Sequence, residues 1–189
     1  MRPLPFLAAA LLALAACGSP TYHLLPTPAP APSRATPVGS VVVADVNVPA
    51  YVGALEVATQ TGPSELALGE RELWADTPRR ALTRHLAAAL DDRLGARVAT
   101  EPWPGFDAPG LRVEVTVDRM VGALDASLDF AGQYFLVAPA SGRILALERF
   151  AFTVPAQGPG YPGLMAAHAR ALDMLADRIA ASIAGAPAA

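Results

Sequence analysis

From residue 40 onward, apolar positions recur with two periods: close to two, the signature of strand, and close to 3.6, the signature of helix. Val41, Val42, Val43, Val46 and Val48 are β-branched and closely spaced, predicting an opening strand that Pro49 ends. Glu56 to Gln60 and the short Glu65 to Leu68 segment flank a Gly62-Pro63 turn and predict a hairpin whose loop is placed to approach a partner. Leu82, Leu86, Leu90 and Leu94 then recur every four residues, the buried stripe of a helix. Asp76 or Thr77 is the expected cap, Pro78 sits in the first turn where a missing amide costs little, and Gly95 is the expected stop. Arg79, Arg80, Arg84, Asp91, Asp92 and Arg93 fall on its outer surface.

Arg97 to Thr100 predicts a short strand, and Glu101-Pro102-Trp103-Pro104-Gly105 a constrained turn. Leu111, Val113, Val115 and Val117 alternate with Arg112, Glu114, Thr116 and Asp118, as in a strand with one buried face. Ser127 to Val137 and Arg143 to Val154 add two strands around a Pro139 to Gly142 turn, and such short connections favour an antiparallel meander. Tyr161 to Ala184 closes the pattern with a helix that gathers Leu164, His168, Ala171, Leu172, Leu175, Ile179 and Ile183 near one face. The fold class is therefore α/β: a two-layer sandwich, a mostly antiparallel mixed sheet with two long helices packed on one face. The other face is then solvated, curved on itself or covered by another protein.

Upstream of residue 40 neither period holds. Arg2 gives a positive start, Leu4 to Ala16 form an apolar stretch too short for a comfortable membrane span, and small residues precede Cys17. Leu14-Ala15-Ala16-Cys17-Gly18 resembles a bacterial lipobox. That resemblance implies removal of a signal peptide at residues 1–16, diacylation of the Cys17 thiol with chains such as palmitate, and acylation of the new amino terminus. Each buried methylene adds about 0.8 kcal/mol to such an anchor. Gly18 and Ser19 stand where an aspartate would favour inner-membrane retention, so the expected location is the periplasmic face of the outer membrane.

Pro26, Pro28, Pro30, Pro32 and Pro37 favour extended backbone, and residues 17–39 read as a lipidated cysteine with a Pro/Ala-rich tether. Tyr22-His23-Leu24-Leu25 interrupts it with bulk that fits either a short pairing segment or a linker anchor. Residues 40–185 read as the α/β domain, and 186–189 as a flexible tail.

Composition narrows the function. A chain of 189 residues, 53% hydrophobic and 16% charged, suits one core and one domain. Its 14 cationic residues are all arginine and lie scattered among 17 acids, so no basic stripe follows a phosphate backbone and nucleic acid is not an expected partner. A single cysteine excludes an internal disulfide and a four-cysteine metal site. There is no glycine-rich loop ending in Gly-Lys-Ser or Gly-Lys-Thr, no Gly-x-Ser-x-Gly, no His-Glu-x-x-His and no calcium-loop spacing. His23 lies in the proline-rich segment, His85 near the polar boundary of the first helix, and His168 beside the apolar stripe of the second, where a satisfied structural histidine is the plainer account. Asp125 and Asp129 fall in turn and strand. Asp173 and Asp177 have helical spacing, but with Arg170 and Arg178 nearby a solvated surface explains them better than paired acid–base work. The chain is expected to be no enzyme, with no cofactor or metal beyond the lipid on Cys17.

Three pieces occur in a telling order: Val42-Val43 leading to Pro49-Ala50-Tyr51-Val52, Leu73-Trp74-Ala75-Asp76 before the first long helix, and Pro102-Trp103 before the central strands. Over residues 38–184 the chain resembles the auxiliary lipoprotein components of ABC-type transport systems, including the paraquat-inducible C-type and YmbA-like lipoproteins. It departs from their pattern at Leu73, where an arginine usually precedes the tryptophan. The resemblance implies a non-enzymatic, periplasm-facing lipoprotein that docks the MCE-domain protein of an intermembrane lipid-transport system, whose permease and ATPase are other subunits. Tyr51, Arg71, Trp74, Arg79, Arg80 and Trp103 are the candidate partner contacts. The tryptophans suit interface anchors or plain packing, and the arginines suit acidic partner groups, phospholipid headgroups or a solvated face. Homo-oligomerisation is a hypothesis motivated by the same resemblance and by a sheet face left uncovered. The alternative is an independent periplasmic lipid-binding or envelope-structural lipoprotein.

Overall fold

A computed structural model describes residues 18–185; the expectations for the signal peptide, Cys17 and the tail concern residues 1–17 and 186–189, outside the described residues. In chain order the elements are β1 (Thr21–His23), β2 (Ser40–Val43), α1 (Ala50–Gly53), β3 (Glu56–Gly62), β4 (Glu65–Trp74), α2 (Pro78–Arg93), β5 (Arg97–Thr100), β6 (Leu111–Gly122), β7 (Ser127–Ala138), β8 (Arg143–Pro155) and α3 (Gly160–Gly185).

One mixed, mostly antiparallel sheet of eight strands holds the two long helices. Strand β6 is shared by all of it. On one side β7 and then β8 extend the sheet as the expected antiparallel meander. On the other side the sheet forks. Strand β2 runs parallel to the first residues of β6 and carries β5, whereas β3 meets its far end through Thr59 and Gly122 and carries β4. Strand β1 adds itself in parallel to the outer edge of β4, with Thr21 opposite Glu72 and His23 opposite Trp74.

The alternation in β6 and β7 sends one set of side chains to the helices. Leu111, Val113, Val115, Leu128, Phe130, Tyr134 and Leu136 are buried against Leu82, Leu86 and Leu90 of α2 and Leu164, Leu172, Leu175, Ile179 and Ile183 of α3. Each such aliphatic or aromatic side chain contributes roughly 1.5–3 kcal/mol by leaving water. A bulge between Val117 and Arg119 interrupts the β6–β7 ladder beside Gly132. A Cβ at Gly132 would stand 2.2 Å from the Thr116 carbonyl oxygen and 3.0 Å from the Phe150 ring, so this close approach requires glycine.

Several boundaries depart from the sequence pattern. The opening strand stops at Val43, and Val46 is buried on the loop beyond it. The one-turn helix α1 follows Pro49 where no helix was expected. Strand β4 continues past Leu68 to Trp74, because β1 on one side and β3 on the other pair its backbone. Neither Asp76 nor Thr77 caps α2 with its side chain; the Asp76 carboxylate accepts the Thr77 N–H at 2.7 Å and binds Arg80 instead. The helix ends at an extended Leu94, one residue before Gly95.

The largest departure is at the N-terminus. Of the two readings open for Tyr22-His23-Leu24-Leu25, the pairing segment holds as β1, and the proline-rich residues 26–34, expected as a tether, lie against the body. After β1 the chain crosses the helix layer, and Arg34 closes the crossing by donating its N–H to the Arg93 carbonyl at 2.8 Å and accepting that of Gly95 at 2.9 Å. Proline-rich backbone has few internal hydrogen bonds to offer, so its order comes from partners on other elements, which local sequence does not show.

Candidate functional site

The segment crossing the helices rests on a polar cluster inside the α2–α3 interface. His85 of α2 and Asp173 of α3 are both buried, with Nε2 of the imidazole 3.1 Å from Oδ1 of the carboxylate. The other ring nitrogen lies 3.1 Å from the Pro26 carbonyl oxygen, and Asp173 Oδ2 accepts the Ala29 N–H at 3.1 Å. Arg93 stands 4.0 Å from Asp173 and donates from Nε to Asp177 at 2.8 Å and from Nη1 to the Ala89 carbonyl at 3.0 Å. Burial pulls the His85 pKa below the ordinary histidine value, against the opposing pull of Asp173. His85, Arg93 and Asp173 were all expected near or on the solvated side of their helices. They are instead internal, because the N-terminal segment covers them. Sequence reasoning missed this group; the one signal was that His85, Arg93 and Asp173 carry complementary charge on two helices that must pack together.

Beside it runs a groove of about 420 Å³ between the crossing segment and the first turns of α2, lined in part by Leu24, Pro26, Trp74, Arg84 and His85. Trp74, a candidate interface anchor, is only 4% exposed and meets His168 edge-on at 5.3 Å between ring centres. Its position is that of a packing residue. His168 donates from Nδ1 to the Leu164 carbonyl at 2.8 Å, and complete burial pushes its pKa down to about 4. The ring is thus a neutral core group, as its place beside the apolar stripe implied.

The remaining candidates are dispersed. Tyr51, in α1, is half-buried, and its hydroxyl oxygen accepts the Met120 N–H at 3.1 Å. Arg79 and Arg80 are exposed on α2; Arg80 bonds Asp76 at 2.8–2.9 Å, which holds that carboxyl below its usual pKa. Arg71 lies exposed on β4, its guanidinium against Gly18. Trp103 is half-buried in the loop before β6, donating to the Asp107 carbonyl at 2.8 Å. No common centre gathers these six. Asp125 and Asp129 also separate: the first accepts the Gly160 N–H at the start of α3, and the second binds Thr153 on the sheet surface.

What the structure does assemble is the helix-free face of the sheet. Val42, on the face opposite Val41 and Val43, opens onto a second groove, of about 550 Å³, shared with Trp103, Arg112 and Pro139. Register carries the surface across the strands, Val42 to Arg112, Arg112 to Val137 and Val137 to Ile144, with Phe135 opposite Leu147 in the next row. Ile144 is 57% and Leu147 54% exposed. Arg112 at the centre is neutralised by Glu101, at 2.7 Å, and by Glu114. Among the described residues no group of three or more histidine, cysteine, aspartate or glutamate side chains is arranged to hold a metal ion, and no helix is long and apolar enough to cross a membrane. What this face offers is exposed apolar surface.

Two solved structures share this fold. A crystal structure of an uncharacterized protein is 25% identical, with a TM-score of 0.72, over 88% of this chain and 99% of that one. A protein from Xanthomonas campestris is 19% identical, with a TM-score of 0.66, over 85% of this chain and 92% of its own. No curated protein matches the sequence. The model of one family, described as the ABC-type transport auxiliary lipoprotein component, matches residues 22–180, beginning inside β1 and ending in α3. The chain belongs to this family: it is a non-enzymatic auxiliary lipoprotein of an ABC-type transport system, lipid-anchored at the outer membrane and facing the periplasm.

Proposed function

We propose that Cys17 carries the lipid anchor and that the domain docks the periplasmic MCE-domain subunit of its transport system, so that the anchored domain aligns that subunit with the outer membrane. The observation that carries the docking reading is the helix-free sheet face, where Phe135, Val137, Ile144 and Leu147 form two apolar cross-strand pairs and, among the described residues, no element packs over Ile144 or Leu147. Apolar side chains half open to water on adjoining rows of a strand pair are stabilised by a partner that covers them. Trp103 stands at the margin of this face and is its aromatic contact; Arg79 and Arg80 lie on the opposite, helical layer and serve as a second, polar contact for acidic groups or headgroups. Homo-oligomerisation through the same face would compete with the docked subunit or leave it to a rim.

Photo-crosslinkers placed at Ile144 and at Arg79 in the lipidated chain, within its native envelope, test this. The MCE-domain subunit recovered from Ile144 supports docking on the open face, and its recovery only from Arg79 moves the contact to the helices. Recovery of another copy of the chain at Ile144 assigns the face to self-assembly. An N-terminal peptide found without acyl chains by mass spectrometry overturns the assignment of Cys17.

A further inference from the structure

The docking of β1 fixes where the anchor leaves the domain. Thr21 is already paired with Glu72, and only Gly18, Ser19 and Pro20 separate it from Cys17. Four extended residue steps span at most about 14 Å, against about 70 Å for a free extended segment of 23 residues. Because β1 is parallel to β4, the chain leading back to Cys17 runs toward the start of β4, which is the turn of the β3–β4 hairpin. Gly18 lies against the Arg71 side chain, in agreement with that direction.

Beside this exit the sheet edge exposes large apolar side chains among its charged ones. Tyr22 is 62% exposed, alternating with a His23 that turns inward to stack on Tyr161. Leu66 and Leu68, on β4 next to the turn, are 44% and 46% exposed. Tyrosine with its ring at the headgroup level, flanked by leucines, is the composition of a surface that rests in a membrane interface. Strand β4 itself carries Glu65, Glu70 and Glu72 against the single cation Arg71, so attraction to anionic lipid is not what would hold it there.

We propose that the β1–β4 edge and the β3–β4 turn form a membrane-contact surface, with Tyr22, Leu66 and Leu68 seated among the headgroups of the zwitterionic phospholipid leaflet that receives the Cys17 lipid. This rests on the acylation of Cys17 proposed above. The domain then lies flush on the membrane, and Leu147 on β8, five strands across the sheet, stands about 24 Å from the membrane edge.

The lone native cysteine is consumed by the lipid, so Leu66→Cys, Leu68→Cys and Leu147→Cys each offer one thiol for an environment-sensitive fluorophore. The full lipidated chain is reconstituted into vesicles of phosphatidylcholine and phosphatidylethanolamine that contain a headgroup-attached quencher. Probes on the first two variants are expected to be quenched at least twofold more than the probe on Leu147→Cys, at low and at high salt alike. Inserting a flexible run of about 16 residues between Ser19 and Pro20, which adds a mean reach of about 22 Å, should leave that difference in place if the apolar contact itself holds the surface down. Equal quenching at all three positions, or quenching at Leu66→Cys and Leu68→Cys that disappears in high salt or with the insertion, overturns the proposal. Acyl chains present on the N-terminal peptide with no quenching at either leucine position overturn this proposal alone, whereas a peptide without acyl chains overturns both readings.

Discussion

Nε2 of His85 stands 3.1 Å from Oδ1 of Asp173, and through this contact the two long helices and the N-terminal crossing segment share one buried carboxylate. The two oxygens of Asp173 serve different elements, α2 through His85 and the crossing segment through Ala29. Asp173→Ala is therefore expected to cost about 3–5 kcal/mol, the usual result of removing one partner from a buried charged group. Urea unfolding measures the loss, and amide exchange at Ala29 should accelerate with it. Asp177→Ala should cost less, since Asp177 is half exposed and water takes its place beside Arg93.

Acid should weaken the fold through its histidines. The unfolded chain binds a proton on each histidine near pH 6.5, whereas buried His168 resists it down to about 4. Within that window the unfolded state holds more protons, so stability rises with pH and drains as pH falls. His168 alone accounts for about 3 kcal/mol between pH 6.5 and 4, and His85, lowered in the same direction, adds to the slope. Denaturation midpoints measured across this window should fall steeply for the native chain and less steeply for His168→Leu. An equal slope for both would assign the acid sensitivity elsewhere.

Gly132 has no room for a side chain between the Thr116 carbonyl and the Phe150 ring. Gly132→Ala is expected to lower stability by about 1–3 kcal/mol through displacement of β6 or Phe150. Gly39→Ala, with nothing within 4 Å of the added methyl, should stay within about 0.5 kcal/mol of the native chain. Thermal melts of the two variants side by side separate crowding from the general effect of replacing glycine.

Folding and docking should come apart at two apolar residues. Trp74→Ala empties a buried site and is expected to cost about 3–5 kcal/mol. Leu147→Glu changes an exposed position and should alter unfolding free energy by no more than about 0.5 kcal/mol, while abolishing recovery of the MCE-domain subunit proposed as the partner of this face. A Leu147→Glu chain that still recovers the subunit at native yield would remove the open face from the docking contact.

Much of the architecture was legible because burial imposes a period. The leucine stripe of α2, the alternation of Leu111 to Val117 and the short turns of the meander each state which face is covered. The forked sheet was not legible, since the pairing of β3 and β2 with opposite ends of β6 depends on contacts far apart in sequence. The candidate contacts fared by exposure. Arg79 and Arg80 lie on the surface as their helical spacing requires, but a tryptophan has the same letter in a core as at an interface, and Trp74 proved internal. Asp173 misled for the reason that the outer side of a helix is outer only until another segment crosses it.

The position of β1 also decides where this domain can be cut. A chain begun at residue 38, after the last of the clustered prolines, would keep α1, α2, α3 and the whole meander. It would leave the backbone edge of β4 without its neighbour and withdraw the Ala29 N–H from Asp173 and the Pro26 carbonyl from His85. A bare edge of that kind is a template for strand exchange with other copies. Shortened versions intended for crystallisation or binding studies should accordingly begin no later than Gly18, and assembly states observed with shorter ones would report on the exposed edge of β4 as much as on the protein's own partners.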